Sequence, residues 1–269
     1  MRDLVHKAAL AGLLHDVGKL ARLGGEQSSW RKYAHAELGD RFVQKYVPPQ
    51  WQESLAPVGW HHGEWSEEKK EKHFDETTLP LVKVVALADR LASGEREVVE
   101  EREQRVKQLL TVFSRVRVGE TLQGPKAWFR PAPLSLREDT IFPCPNLPTS
   151  EATEAFHDLW SKFCSQAQAL SQVYAQDGVS IESYLESMFF VLRDHAWCAP
   201  SAYWDVEPDV SLFSHLHATS ALAAVLAHDF WDQMERVGEL LEAIKLAAIK
   251  GDPWPEEPEV ALLAVGDIA

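Results

Sequence analysis

Leu4 to Leu14 is an apolar helical run that ends directly on His15-Asp16-Val17-Gly18-Lys19. No other stretch constrains the chain so tightly. Leu4, Ala8, Ala11 and His15 recur at helical spacing, so the imidazole rides on the face that the helix buries. A desolvated carboxylate beside it costs several kcal/mol, comparable with a whole domain's net stability, unless a cation or donors compensate it. A divalent metal meets that need, and imidazole nitrogen with carboxylate oxygen suits zinc, manganese, iron, cobalt or nickel. The pattern predicts one helix over residues 1–17, released by Gly18, with Lys19 placed to reach an anionic substrate. A capped helix end with a surface His–Asp pair is the alternative these residues alone leave open.

Composition sets the outer limits. At 45% hydrophobic and 25% charged residues the protein reads as soluble and globular, with chain enough for one large or two modest domains. No apolar run approaches a membrane span, and the first six residues lack a secretory pattern. Cys144, Cys164 and Cys198 are far apart and form no CxxC, which fits a reducing cytoplasm and argues against a thiolate zinc site. The net charge of −14 disfavours unaided binding to nucleic acid, because phosphate contacts need a basic surface. Metal ions or partner subunits would have to carry part of that attraction.

Polar residues of the same anomalous kind recur downstream. Trp30 to Tyr46 reads as a helix stopped by Pro48-Pro49, with His35 on the face of Leu38 and Phe42. A hydrogen-bonded core histidine is the alternative there. After a short helix at Trp51 to Val58, Gly59-Trp60-His61-His62-Gly63 sets two histidines side by side. They can offer ring nitrogens to neighbouring metals, or simply bond to loop backbone. Leu79 to Leu91 is apolar nearly all round, yet carries Asp89 beside Val82, Val85 and Ala86. An unpaired carboxylate there is costly, and a metal shared with His15 and Asp16 resolves both anomalies. A charged helix is expected from Gly94 to Lys107, continuing through Leu109 to Val116. Residues 117–150 predict a small β-hairpin or irregular excursion. Helices resume over Glu151–Ala175, Ser180–Ala196 and Val210–Phe230, then to about Ile249. On Val210–Phe230, His215 shares a face with Thr219, Leu222 and Leu226, whereas His217 points the other way, among Phe213, Ala221 and Ala224. Asp252 to Pro258 reads as a linker and Val260 to Val265 as a strand. The expected fold class is all-α.

In this order on helices, His15-Asp16, Lys19, His35, His61-His62 and Asp89 resemble the HD superfamily of metal-dependent phosphohydrolases. That family also places a histidine before the His-Asp pair, and His6 is too close to serve. The stretch from Pro208 to His215 is similar to one in the large signature subunit of type III CRISPR effector complexes. There the HD domain is circularly permuted and the leading histidine comes late, so His215 matches it. Ala88 to Arg96, Leu110 to Ser114 and Val265 to Ala269 are also similar, the last to the first strand of that subunit's palm domain.

The resemblance spans essentially the whole chain. It implies a permuted HD nuclease domain over residues 1–250, with a linker and the first strand of a truncated palm domain over 251–269. It implies that Asp16 bridges two ions, His15, Asp89 and His215 completing one site and His35, His61 and His62 the other. Lys19 would neutralise charge on the phosphate. The expected cofactor is one or two divalent transition metal ions, with Mn, Ni, Co or Fe favoured over Mg by imidazole-rich ligation. The expected substrate is single-stranded DNA. Expected partners are the other subunits of a type III complex with CRISPR RNA and target RNA, in the cytoplasm and without a membrane. The palm-domain motif Gly-Gly-Asp-Asp does not occur in these residues, so no cyclic oligoadenylate synthesis is expected of them. An HD phosphohydrolase of small nucleotides, or an idle docking module, is the alternative function.

Overall fold

The computed structural model describes residues 1–30, 32–62, 74, 77–93, 108–118, 121–122, 126–176, 178–202 and 208–250. Among them the architecture is all-α, as the periodicity predicts. α1 (Arg2–Leu14) is the central helix, and Ala8 through Leu14 are buried without interruption. α10 (Leu212–Asp229) lies across it, α6 (Thr78–Ser93) packs on both, and α11 (Met234–Lys250) covers α6. α2 (Val17–Leu23) pairs with α3 (Ala34–Tyr46), and α8 (Thr149–Tyr174) with α9 (Ile181–Ala196). Two short helices, α4 (Pro49–Gln52) and α5 (Pro57–Trp60), begin with prolines whose missing N–H costs nothing in a first turn. They deliver the chain to His61. Ser211 caps α10 by accepting from the Ser214 N–H, which fixes the start of the helix and hence the direction of His215 one turn later.

Two glycines let ligand-bearing helices approach closely. A Cβ on Gly12 would lie 2.9 Å from the Thr219 carbonyl oxygen and 3.0 Å from Ser220 Cα, so glycine sets the α1–α10 distance. Ser220 Oγ donates to the Ala9 carbonyl at 2.8 Å across the same crossing. Gly18 does not release a helix, as its residue type suggests. The break falls at His15-Asp16, and Gly18 sits in the first turn of α2. Its role is steric: a Cβ there would overlap the His35 carbonyl oxygen and lie 2.7 Å from Gly39 N. Both obstacles are backbone and cannot rotate away. Gly18→Ala is therefore expected to destabilise the fold by about 1–3 kcal/mol or more and to push His35 outward, read as a lower melting temperature with weakened metal binding.

α3 starts at Ala34, not at Trp30. Glu37 explains the delay by drawing the preceding residues onto the helix. Its carboxylate accepts from Ser28 Oγ, from Ser29 N and Oγ at 2.8 and 2.6 Å, from Trp30 N at 3.0 Å and from Arg41 at 2.5 Å. Burial opposes ionisation of Glu37, but these donors override it and hold its pKa down at about 2, below the ordinary 4.5. A depressed carboxylate stabilises the fold above its unfolded pKa, and the contribution fades as pH falls through the folded value. Glu37→Gln should thus cost about 1–3 kcal/mol at neutral pH. In thermal melts, the difference from wild type should shrink between pH about 4.5 and about 2.

The excursion expected near 117–150 is present. Arg117–Val118 pairs antiparallel with Thr121–Leu122, and Trp128 bridges to both Leu110 and Cys144. It also contains the short helix α7 (Glu138–Ile141). The helix expected through Leu109 to Val116 is not formed beyond one 3-10 turn at Val112–Arg115. Leu109 and Leu110 are buried in extended chain, because their backbone bonds go to Phe129 and Pro208. Residues 94–107 and 251–269, with the charged helix, linker and palm strand expected there, lie outside the described residues.

Candidate metal centre

The break between α1 and α2 puts His15 and Asp16 at the inner end of the core. Asp16 has φ −110° and ψ 12°, the bridge region in which many active-site residues sit. It occupies the N-cap position of α2 but makes no side-chain capping bond. Its carboxylate faces histidines instead. Oδ2 lies 3.3 Å from His15 Nε2 and 3.4 Å from His215 Nε2, and Oδ1 lies 3.3 Å from His35 Nε2 and 3.8 Å from His61 Nε2. Asp89, from α6, brings Oδ1 to 3.1 Å from His215 Nε2 and 3.4 Å from His15 Nε2. The seven side chains singled out as ligands therefore converge on one spot. They form two groups, His15-Asp16-Asp89-His215 and Asp16-His35-His61-His62, whose donor atoms lie within 4.8 Å of one another in each. Asp16 belongs to both.

Backbone carbonyls set the tautomers of two of these histidines. His15 Nδ1–H donates to the Gly12 carbonyl at 2.7 Å, and His61 Nδ1–H to the Val58 carbonyl at 3.1 Å. Each turns Nε2 inward, the orientation that outer partners of metal-binding histidines impose. Several atoms inside the cluster then lack what a protein partner should supply. Asp16 Oδ1 and His61 Nε2 are buried with no aligned hydrogen bond among the described residues. Ring nitrogens meet head-on at 3.2 Å for His15–His215 and 2.6 Å for His35–His62. Facing lone pairs repel unless a proton or cation lies between them. The donor set, its geometry and its unsatisfied atoms fit divalent transition metal ions.

Electrostatics point the same way. Burial pushes His35 down to about 3 and His61 to about 4, and His62 lower still, so all three present neutral imidazoles. Metal ligation requires that form. At His15 burial also favours the neutral ring, but the Asp16 and Asp89 carboxylates outweigh it and raise its pKa to about 9. Despite burial, both carboxylates stay well below the ordinary range, Asp16 chiefly through Lys19 and Asp89 through the hydrogen bond from His15. Two buried carboxylates thus demand positive charge here.

Lys19 lies at the rim. Its Nζ is 2.5 Å from Asp16 Oδ2 and donates to the Ser201 carbonyl at 2.8 Å. His217, by contrast, is exposed and packs on Phe189 and Phe213, away from the cluster. Sequence reasoning missed Tyr33. It has φ 56° and ψ 42°, the left-handed region, the sole non-glycine residue with positive φ among those described. That conformation costs a bulky side chain roughly 1–2 kcal/mol. Its ring stacks on His62 at 4.0 Å. Nothing local distinguishes it in sequence, where it falls inside an apparently continuous helix.

Residues 2–94 match the HD domain family. That segment is similar to an HD domain. The matched segment holds six of the seven clustered side chains, and His215 joins the cluster from α10, 200 residues after His15. A curated relative is the CRISPR system single-strand-specific deoxyribonuclease Cas10/Csm1 (subtype III-A) of Methanocaldococcus jannaschii. It is 27% identical over 248 residues, covering 81% of this chain and 27% of the relative. Csm1 of T. onnurineus shares the fold with a TM-score of 0.58 at 21% identity, over 83% of this chain and 28% of that one. Csm1 in the Csm1–Csm4 subcomplex of the type III-A CRISPR-Csm interference complex gives 0.52 at 20% identity, with the same coverage. The chain spans just over a quarter of the length of these relatives. The common architecture is the all-α fold of this part of Csm1. No helix among the described residues is long and apolar enough to cross a membrane.

Proposed function

We propose that this chain is the nuclease unit of a type III CRISPR effector large subunit, a metal-dependent hydrolase that cuts phosphodiester bonds in single-stranded DNA. The observation that carries the reading is the pair of donor groups sharing Asp16. Asp16 would bridge two divalent ions, held on one side by His15, Asp89 and His215 and on the other by His35, His61 and His62. Bound ions in such a pair supply Lewis-acid activation and a nucleophile available near neutral pH. Imidazole-rich ligation favours Mn, Co, Ni or Fe over Mg.

The protein's own groups do the rest. Neutral His35, His61 and His62 need lose no proton to ligate. Lys19 spends two of its three donors on Asp16 and Ser201, and the third can meet a phosphate oxygen as charge builds on it. The net charge of −14 implies weak, salt-sensitive DNA binding by this chain alone. Help would come from partner subunits with CRISPR RNA and target RNA; solved relatives of similar fold are found with Csm4. Residues 1–250 would form the nuclease unit and 251–269 lead toward a palm domain.

One feature favours a second reading. A cavity of about 410 Å³ between α6 and α11 is lined by Val82, Lys83, Gly238 and Lys245 and reaches His61. Its size suits a small ligand, so hydrolysis of small nucleotides is the alternative. Labelled single- and double-stranded DNA and RNA, tested beside dNTPs and cyclic nucleotides across a panel of divalent metals, separate the two. Metal-dependent cutting confined to single-stranded DNA is expected. Turnover of nucleotides alone, or cutting that chelators do not stop, would reject the proposal.

Lys19→Ala offers a sharper test of roles. It should leave the metal content unchanged while slowing turnover by about a hundredfold, the scale of losing one transition-state donor. Metal loss in this variant would show instead that Lys19 props up Asp16.

A further inference from the structure

We propose that Tyr33 is a positioning residue for the second donor group, its ring holding the His62 imidazole with Nε2 turned toward His35 and Asp16. The inference rests on the two-ion reading above. His61 is oriented by hydrogen bonds from Nδ1–H to backbone carbonyls, 3.2 Å to Pro57 and 3.1 Å to Val58. His62 has no such tether among the described residues, and its one ring hydrogen-bond contact there is with His35. What faces its ring plane is Tyr33, at 4.0 Å between centroids and 21° between planes. The same tyrosine meets His35 edge-on at 6.3 Å, so one side chain touches two of the three histidines of this group.

Backbone conformation is the independent observation. Tyr33 holds φ 56° and ψ 42° immediately before α3, where glycine or asparagine would be at ease. Strain of this kind persists where the surrounding structure needs the side chain it presents. Lys32 Nζ lies 5.0 Å from the Tyr33 ring centroid, a cation–π contact that adds to its placement. A ring at a strained position, stacked on a histidine that has no backbone tether among the described residues, is an outer partner that works through van der Waals contact.

Calorimetric titration of the 269-residue chain with Mn²⁺ tests this, comparing wild type, Tyr33→Phe and Tyr33→Gly. Wild type should bind two ions, and Tyr33→Phe should match it, because the stacked ring is kept. Tyr33→Gly should bind the first ion normally and the second about tenfold or more weakly, the scale of losing an outer partner of a metal ligand. Its ion-free melting temperature should stay close to that of wild type, since relief of the left-handed strain offsets the lost ring. Two ions bound with unchanged affinity in Tyr33→Gly would overturn the assignment alone. So would equal weakening in Tyr33→Phe, which would move the role to the hydroxyl, or equal loss of both ions with a lowered melting temperature, which would make the ring a fold element. A single ion in wild type would overturn the two-ion reading and this assignment with it.

Discussion

Asp16→Ala should bring nuclease activity to background and remove both ions, while the helical circular dichroism stays unchanged. Its two oxygens face different histidine groups, Oδ2 toward His15 and His215 and Oδ1 toward His35 and His61. No other side chain in the cluster belongs to both groups. Loss of the carboxylate also strips Lys19 of its 2.5 Å partner and leaves Asp89 as the one carboxylate opposite His15. Removing one partner of a buried ionic cluster costs about 3–5 kcal/mol, so a lower melting temperature should accompany the loss. Elemental analysis and a cleavage assay on the same preparation check the result. One ion retained together with substantial activity would show that the centre does not depend on a shared carboxylate.

His215→Ala should have the next largest effect. His215 Nε2 lies 3.1 Å from Asp89 and 3.2 Å from His15 Nε2, so its loss opens the first donor group while sparing the second. Affinity for that ion should fall by about a hundredfold, the upper range for perturbing a metal site from outside and a minimum for removing a ligand. Activity should fall with it. His217→Ala, two residues on, should cost neither metal nor activity, only about 0.5–1.5 kcal/mol of aromatic packing against Phe189 and Phe213. The reverse pattern would mean that α10 does not complete the metal site.

These two variants also mark what a sequence of this kind reveals. His15, Asp16 and Asp89 stand out because each interrupts an apolar helical face, and burying such groups is costly enough to require a reason. Helices with strong apolar periodicity, such as α1, α6 and α10, are legible for the same cause. His215 is different: nothing local separates it from His217, and it was singled out through the order of residues in a family rather than by its surroundings. The packing that brings α10 onto α1 depends on Gly12 and on Ser220 bonding to Ala9, contacts between residues more than 200 apart. Non-local bonding also explains the misread segments. Leu109 and Leu110 look helical, yet their backbone groups pair with Phe129 and Pro208. Gly18 looks like a helix breaker, but serves a close crossing with His35 that no local pattern encodes. Tyr33 was hidden because a left-handed tyrosine has no sequence signature.

The proposed centre is a pair of ions sharing Asp16. It is tested most directly by anomalous diffraction from crystals of this chain grown with Mn²⁺. Two peaks about 3.5–4 Å apart are expected, the spacing of two-metal hydrolytic sites, with one Asp16 oxygen toward each. His15, Asp89 and His215 should surround one peak, and His35, His61 and His62 the other. A single peak bound by one group, or manganese held away from Asp16, would contradict the account.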